Sequence, residues 1–211
     1  MVPDFAEVYY YARHDRHDVV IEIFDRIVNI AKGAALGTGT TMDFEMIGGT
    51  HELLPNDVLQ QLMHKSLTQV GGFDYTIKEN EFANSIAETL GKPLNMDYVT
   101  GVEPYDPNAL PMGSTDVGDV SFTVPTAGMG AATWVPGTPA HSWQAVAAGG
   151  TSIGNKGMLV AAKTLALTAF KLLDNTKILD QAQAEFLKKR GTDFKYIPLL
   201  GERSPALDYR N

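Results

Sequence analysis

The chain of 211 residues contains no cysteine, so disulfide staples, thiolate metal sites and cysteine nucleophiles are excluded. Any metal must then be held by His, Asp or Glu. Positive charge is also scarce: 17 Lys and Arg stand against 25 Asp and Glu, a net charge of −8. That balance argues against a phosphate backbone or an anionic lipid surface, so no nucleic-acid and no membrane partner is expected. Long apolar runs are lacking too. The most apolar stretch, residues 157–173, is interrupted by Lys163, Thr164, Thr168 and Lys171, and the N-terminal residues show no basic region leading into an apolar one. The expectation is a cytoplasmic chain without an anchor. What is present, 44% hydrophobic and 20% charged residues, excludes disorder as the main state and suffices for one large or two small globular units.

The opening residues alternate Ala6, Val8, Tyr10 and Ala12 with Phe5, Glu7, Tyr9, Tyr11 and Arg13, the period of a half-buried strand. From Asp18 the apolar positions become Val20, Ile23, Phe24, Ile27, Ala31, Ala34 and Ala35, which predicts an amphipathic helix ending near Gly37. Alternation returns over residues 41–47, giving one β-α-β unit. Such a unit buries too little to stand alone and needs either a second β-α-β half, as in a ferredoxin-like sandwich, or a partner chain along a strand edge.

Beyond Gly48 and Gly49, the Leu54-Pro55-Asn56 segment opens a helix striped with Leu59, Leu62, Met63, Ser66 and Val70. Thr76 and Glu79 form a capping box for another, carrying Phe82, Ala83, Ile86, Ala87 and Leu90 and stopping at Gly91. Residues 92–112 read as a loop. Short strands are expected at 120–124 and 131–135, then a helix over 154–173 that is apolar on nearly every face and hence buried between layers. A last helix over 176–190 ends in Lys188, Lys189 and Arg190, and the final twenty residues read as a wrapping tail.

Two loops could carry chemistry. In the first, Gly113, Ser114, Thr115, Asp116 and Asp119 place two carboxylates and two hydroxyls on a flexible backbone, which suits either a site or a locally capped turn. In the second, Pro136, Gly137, Thr138 and Pro139 precede His141, with Trp143 just beyond. A rigid loop of this kind fixes a ring as metal ligation requires, yet one imidazole cannot hold a zinc ion that takes three or four ligands. His14 and His17 read as a solvated turn among charges, and His51 and His64 as surface or capping residues. The glycine-rich run 149–157 lacks the Gly-Lys-Ser/Thr ending of a phosphate loop, leaving a helix start whose N–H groups could orient an anion.

The segments GSTDVGDVSFTVPT (113–126), PGTPAHSWQ (136–144) and TSIGNKGMLVAAKTLA (151–166) together resemble the di-metal amidohydrolases of the aminoacylase and carboxypeptidase G metallopeptidase superfamily, and among them the aminobenzoyl-glutamate hydrolases. The opening VPDFAEVYYYAR, GAALGTGT and LPNDVL resemble the same proteins in the same order. The resemblance implies an α/β chain: half of a ferredoxin-like lid domain (β-α-β) over residues 1–52, then the C-terminal part of an α/β/α metallopeptidase catalytic domain over 53–211. It implies His141 as a metal ligand. Gly113, Ser114, Thr115, Asp116, Asp119, Gly137 and Thr138 fall to substrate binding or to support of the ligands.

In the complete family enzyme two divalent ions, Zn or Mn, activate a water that hydrolyses the amide of p-aminobenzoyl-glutamate or another N-acyl amino acid, with a glutamate as general base. The family's His-x-Asp motif and Glu-Glu pair occur nowhere in these 211 residues, so no catalytic residue is assigned. The chain is therefore expected to be the C-terminal portion of such an enzyme, inactive and metal-free alone, pairing as a homodimer through residues 1–52. The alternatives are a freestanding non-catalytic dimerisation module, or a subunit complemented by a separate N-terminal half.

Overall fold

Helices end where their sequence tells them to. The computed structural model describes residues 3–109 and 113–201, with Ser204 and Leu207. Among them are α1 (His17–Thr38), α2 (Asp57–Val70), α3 (Ile77–Leu90), α4 (Asp97–Thr100), α5 (Val117–Ser121), α6 (Trp143–Gly149), α7 (Ser152–Asp174) and α8 (Lys177–Arg190). The capping box of α3 is complete, with Thr76 Oγ1 accepting from the Glu79 N–H and the Glu79 carboxylate accepting from the Thr76 N–H. Gly39 and Gly91 close α1 and α3 in the left-handed conformation that glycine adopts without a Cβ penalty.

The expected α/β architecture is not formed. The described residues hold no strand and no sheet, only an isolated bridge between Pro55 and Thr126, so neither the β-α-β lid half nor the α/β/α sandwich has its sheet. Residues 5–13 and 41–47 run without regular structure, and Phe5, Tyr9, Tyr10, Tyr11 and Phe44 stay exposed. The alternation is real. A strand, however, exists only through its ladder, and two short strands on one helix are too few to sustain it. Residues 120–124 are likewise not a strand, because α5 runs into them and its surroundings hold it: Gly118 lies so close to the His51 carbonyl that a Cβ would sit 1.9 Å from it, and Ser121 Oγ accepts from the Leu54 N–H at 2.8 Å. The expected loop over 92–112 contains the single turn α4; its residues 110–112 lie outside the described part, as do 202–203, 205–206 and 208–211 of the expected tail.

By its contacts the chain divides into two compact units. The first, residues 1–54, 112–123 and 193–211, contains α1 and α5. Its helix α1 carries the expected stripe, with Phe24 meeting Phe44 edge to face at 5.8 Å, but none of its residues is fully buried. The second unit, residues 55–111 and 124–192, packs α2 against α7 and α8 and α6 against α7. Its core gathers Tyr75, Ala83, Ile86, Val99, Val135, Ala148 and Ile153. Helix α7 is buried along Ile153, Gly157, Thr164 and Thr168, whereas Leu159, Leu165, Phe170 and Leu173 are exposed. The expectation of burial on all faces thus fails: the described residues leave these apolar side chains of α7 at least half exposed. No helix of the described residues is long and apolar enough to cross a membrane.

Polar anchors fix the start of α2. Asn56, 2% exposed, accepts from the Leu59 N–H through Oδ1 (3.1 Å) and donates from Nδ2 to the Ala182 carbonyl (2.9 Å). The Glu185 carboxylate accepts from the N–H groups of Asp57 (2.8 Å) and Val58 (2.9 Å). These are first-turn donors with no helical partner of their own. Lys189 bridges Glu185 and Asp57 at 2.7 and 2.8 Å. Burial raises the Glu185 pKa, but the Lys189 and backbone hydrogen bonds outweigh it and hold the carboxyl below its ordinary value.

Candidate functional site

The loop before α6 is built in three steps. Residues 135–138 form a turn closed by the Thr138 N–H on the Val135 carbonyl (3.2 Å), with Pro136 first and Gly137 second at φ 85°, the geometry of a type II turn in which glycine sits without strain. Ser142 then caps α6: its Oγ accepts from the Ala145 N–H at 3.2 Å and donates to the Pro139 carbonyl at 2.7 Å. Between these anchors lies His141 at φ 59°, the one non-glycine residue among the described residues in the left-handed region. Strain of this kind collects where a side chain must be aimed. The exposed imidazole looks onto a cavity of about 520 Å³ walled by Trp134, Trp143 and Val146.

Gly137 and Thr138 line a second, larger cavity of the same unit, and the Thr138 Oγ1 is buried there without a partner among the described residues. His141 brings one nitrogen donor and no carboxylate beside it, and no three His, Asp or Glu among the described residues converge as a metal-holding group. A metal pair takes several ligands per ion, so these donors do not fit one by themselves.

In the first unit, Gly113, Ser114, Thr115 and Asp116 are exposed, and Thr115 Oγ1 accepts from the Val117 N–H at 3.2 Å, the locally capped turn. Asp119 faces a cluster that no motif foretells. Its Oδ1 lies 2.7 Å from His51 Nδ1 and accepts from the Tyr196 hydroxyl at 3.0 Å. His51 is 4% exposed, not a surface residue, and its ring stands 4.4 Å from that of His17, whose Nδ1 is 2.9 Å from the Glu52 carboxylate. Phe122 and Phe194 pack beside both rings. Burial and then the Asp119 hydrogen bond and charge push the Tyr196 pKa up. Sequence spacing could not reveal this cluster, since His51 and Asp119 are 68 residues apart.

The start of α7 is not a free anion cradle. Thr151 Oγ1 accepts from the Ile153 N–H, Ser152 Oγ donates to Glu79 at 2.6 Å, and Lys156 Nζ donates to Glu79 (2.6 Å) and to the Asp74 carbonyl (2.9 Å). Hydrogen bonds from Lys156, Ser152 and the Thr76 N–H hold the buried Glu79 down to about 2.

Against known proteins, the chain is 34% identical over 227 aligned positions to the B subunit of the p-aminobenzoyl-glutamate hydrolase of Escherichia coli (strain K12), covering 95% of this chain and 47% of that protein. The chain is related to that hydrolase. It matches a C-terminal part of it, which bears out the resemblance carried by the three motifs. It is also 29% identical over 188 positions to the Xaa-Arg dipeptidase of Mus musculus, covering 88% of this chain and 37% of that protein. The chain thus spans about half or less of the length of these curated relatives. No family model matches the sequence, and no solved structure matches it.

Proposed function

We propose that the chain is the C-terminal portion of a metal-dependent amidohydrolase that cleaves the amide bond of p-aminobenzoyl-glutamate or a related N-acyl amino acid. The identity to the Escherichia coli hydrolase along 95% of the chain carries this reading. The strained, rigidly framed His141 supports it as the ligand offered from this portion. The bound metals of such an enzyme supply an activated water and polarise the scissile carbonyl. What this chain's residues do is narrower: the turn at Gly137 and the Ser142 cap fix the direction of the His141 ring, while residues 113–116 with Asp119, and Gly137 with Thr138, face substrate or support the ligand. A single imidazole assembles no metal pair, so the isolated chain has no amidase activity. Residues 1–52 pair with a second copy, a reading supported by an α1 stripe that is nowhere fully buried, and the protein works in the cytoplasm.

The test is a chimera in which this chain replaces the aligned portion of the Escherichia coli hydrolase, assayed for glutamate release from p-aminobenzoyl-glutamate with added zinc or manganese. The chimera hydrolyses the substrate, His141→Ala abolishes the activity, and the chain alone shows none; light scattering finds a dimer. A folded but inactive chimera, or one indifferent to His141→Ala, overturns the reading.

A further inference from the structure

Helix α6 wears its largest apolar side chains on the outside. Gln144, Ala145 and Ala148 are buried on its inner face, whereas Trp143 and Val146, one turn apart, stay exposed. The indole of Trp134 joins them from the segment before the His141 loop: its Nε1 lies 3.8 Å from where a Cβ on Gly149 would stand, and the adjoining Val135 is anchored in the core. With the His141 ring these side chains wall the cavity of about 520 Å³, a size that small-molecule sites have. Among the described residues no carboxylate, ammonium or guanidinium lines it. Its one side-chain hydroxyl, that of Ser142, is taken up by the Ala145 N–H and the Pro139 carbonyl.

We infer that Trp134 and Trp143 hold the aromatic acyl half of the substrate and so determine which N-acyl amino acids are accepted. The inference rests on the proposed function and assigns the residues that choose the acyl group. The proposed substrate has two unlike halves, a flat uncharged aryl ring and an amino acid with two carboxylates. The carboxylates meet no cation in this cavity, and burying them unpaired is costly. The ring meets two indoles, which take an aryl group offset or edge to face, and the Val146 side chain beside them. Covalency fixes where the ring must lie. In an N-aroyl substrate it is bonded directly to the scissile carbonyl carbon, so it stays next to the reacting centre, and both indoles border the cavity of the His141 that the proposed function puts there. A guanidinium also stacks on indole, but here it would find no carboxylate to neutralise it.

The chain has two tryptophans and both border this cavity, so its two indole N–H resonances report on it. Added to the isotope-labelled chain, p-aminobenzoate shifts both saturably, while glutamate and arginine shift neither. Trp143→Ala weakens that binding about tenfold or more, and Trp143→Phe, which restores an aromatic face, recovers most of it. In the chimera described above, Trp143→Ala raises KM for p-aminobenzoyl-glutamate and the inhibition constant of p-aminobenzoate by a similar factor, without moving the inhibition constant of glutamate. Where the chimera is active its constants decide: a KM indifferent to Trp143→Ala, or one that rises together with the glutamate constant, overturns the subsite and leaves the function standing. Where the chimera is folded but inactive, the titration of the chain decides. Saturable shifts from p-aminobenzoate then keep the subsite while the function falls; arginine shifting the indoles in its place, or no ligand shifting them at millimolar concentration, overturns the subsite as well. Should the chimera fail to fold, the same titration decides for the subsite alone.

Discussion

Glu79 joins the start of α3 to the start of α7, and its removal tests how much of the second unit's stability sits in that junction. The carboxyl is buried, with hydrogen bonds from Lys156, Ser152 and the Thr76 N–H, and its pKa falls from 4.5 to about 2. A folded-state pKa below the unfolded value contributes stability that is fully present above the unfolded pKa and fades as pH falls through the folded one. At about 1.4 kcal/mol per unit, the shift amounts to about 3 kcal/mol at neutral pH, lost between pH 4.5 and about 2. Glu79→Gln separates charge from shape: Gln preserves the capping box but gives up the ion pair with Lys156. It should cost about 2–3 kcal/mol in urea unfolding at pH 7, and Glu79→Ala about 1 kcal/mol more for the lost cap. The gap between wild type and Glu79→Gln should close as the pH approaches 2. A gap unchanged between pH 7 and about pH 2 would refute the assignment of the stability to the charged form.

Two further perturbations read other parts of the chain. Gly157→Ala places a Cβ 2.3 Å from the Ala132 carbonyl oxygen, backbone that cannot rotate away, so α7 must shift; overpacking at the upper end of about 1–3 kcal/mol exceeds the roughly 1 kcal/mol gained in helix propensity. Gly33→Ala in α1 meets nothing within 4 Å and should stabilise its unit by up to about 1 kcal/mol, so thermal melts shifting both variants the same way would contradict the packing argument. Glu185→Gln weakens the cap on α2 and unbalances Lys189, costing about 1–2 kcal/mol at pH 7 by urea unfolding. Because the Glu185 pKa is lowered, that loss should shrink as the pH falls below the ordinary carboxylate range, and a pH-independent loss would count against it.

What is local was legible in the sequence. The starts and stops of α1, α2, α3 and α8 follow from a 3.6-residue period, polar residues before or within the first turn and a glycine at or just past the last, all within reach of one another along the chain. The five-residue α5 escaped because Val120 and Val124 favour strand, while the contacts that bend this stretch come from His51 and Leu54, far back in sequence. Helix α6 hid behind the His141 loop, its cap at Ser142 being legible only once the turn at Gly137 is known. In the candidate site, the rigid frame of His141 could be read from prolines and glycine. The Asp119–His51–Tyr196 contacts could not, since nothing in spacing anticipates a buried imidazole.

The failures share one cause. A helix satisfies most of its backbone within itself, so the long helices α1, α2, α3, α7 and α8 need no neighbouring segment to complete their hydrogen bonds, unlike the short α5 that its surroundings hold. A strand borrows half of its hydrogen bonds from a neighbour, and residues 5–13, 41–47 and 131–135 have strand-like patterns with no ladder beside them. The same reasoning covers the open side of α7, whose Leu159, Leu165 and Phe170 are as apolar as a core helix requires and yet exposed. In both cases the local pattern calls for a partner that the described residues do not supply, so the pattern is present in the sequence and the structure it would specify is not.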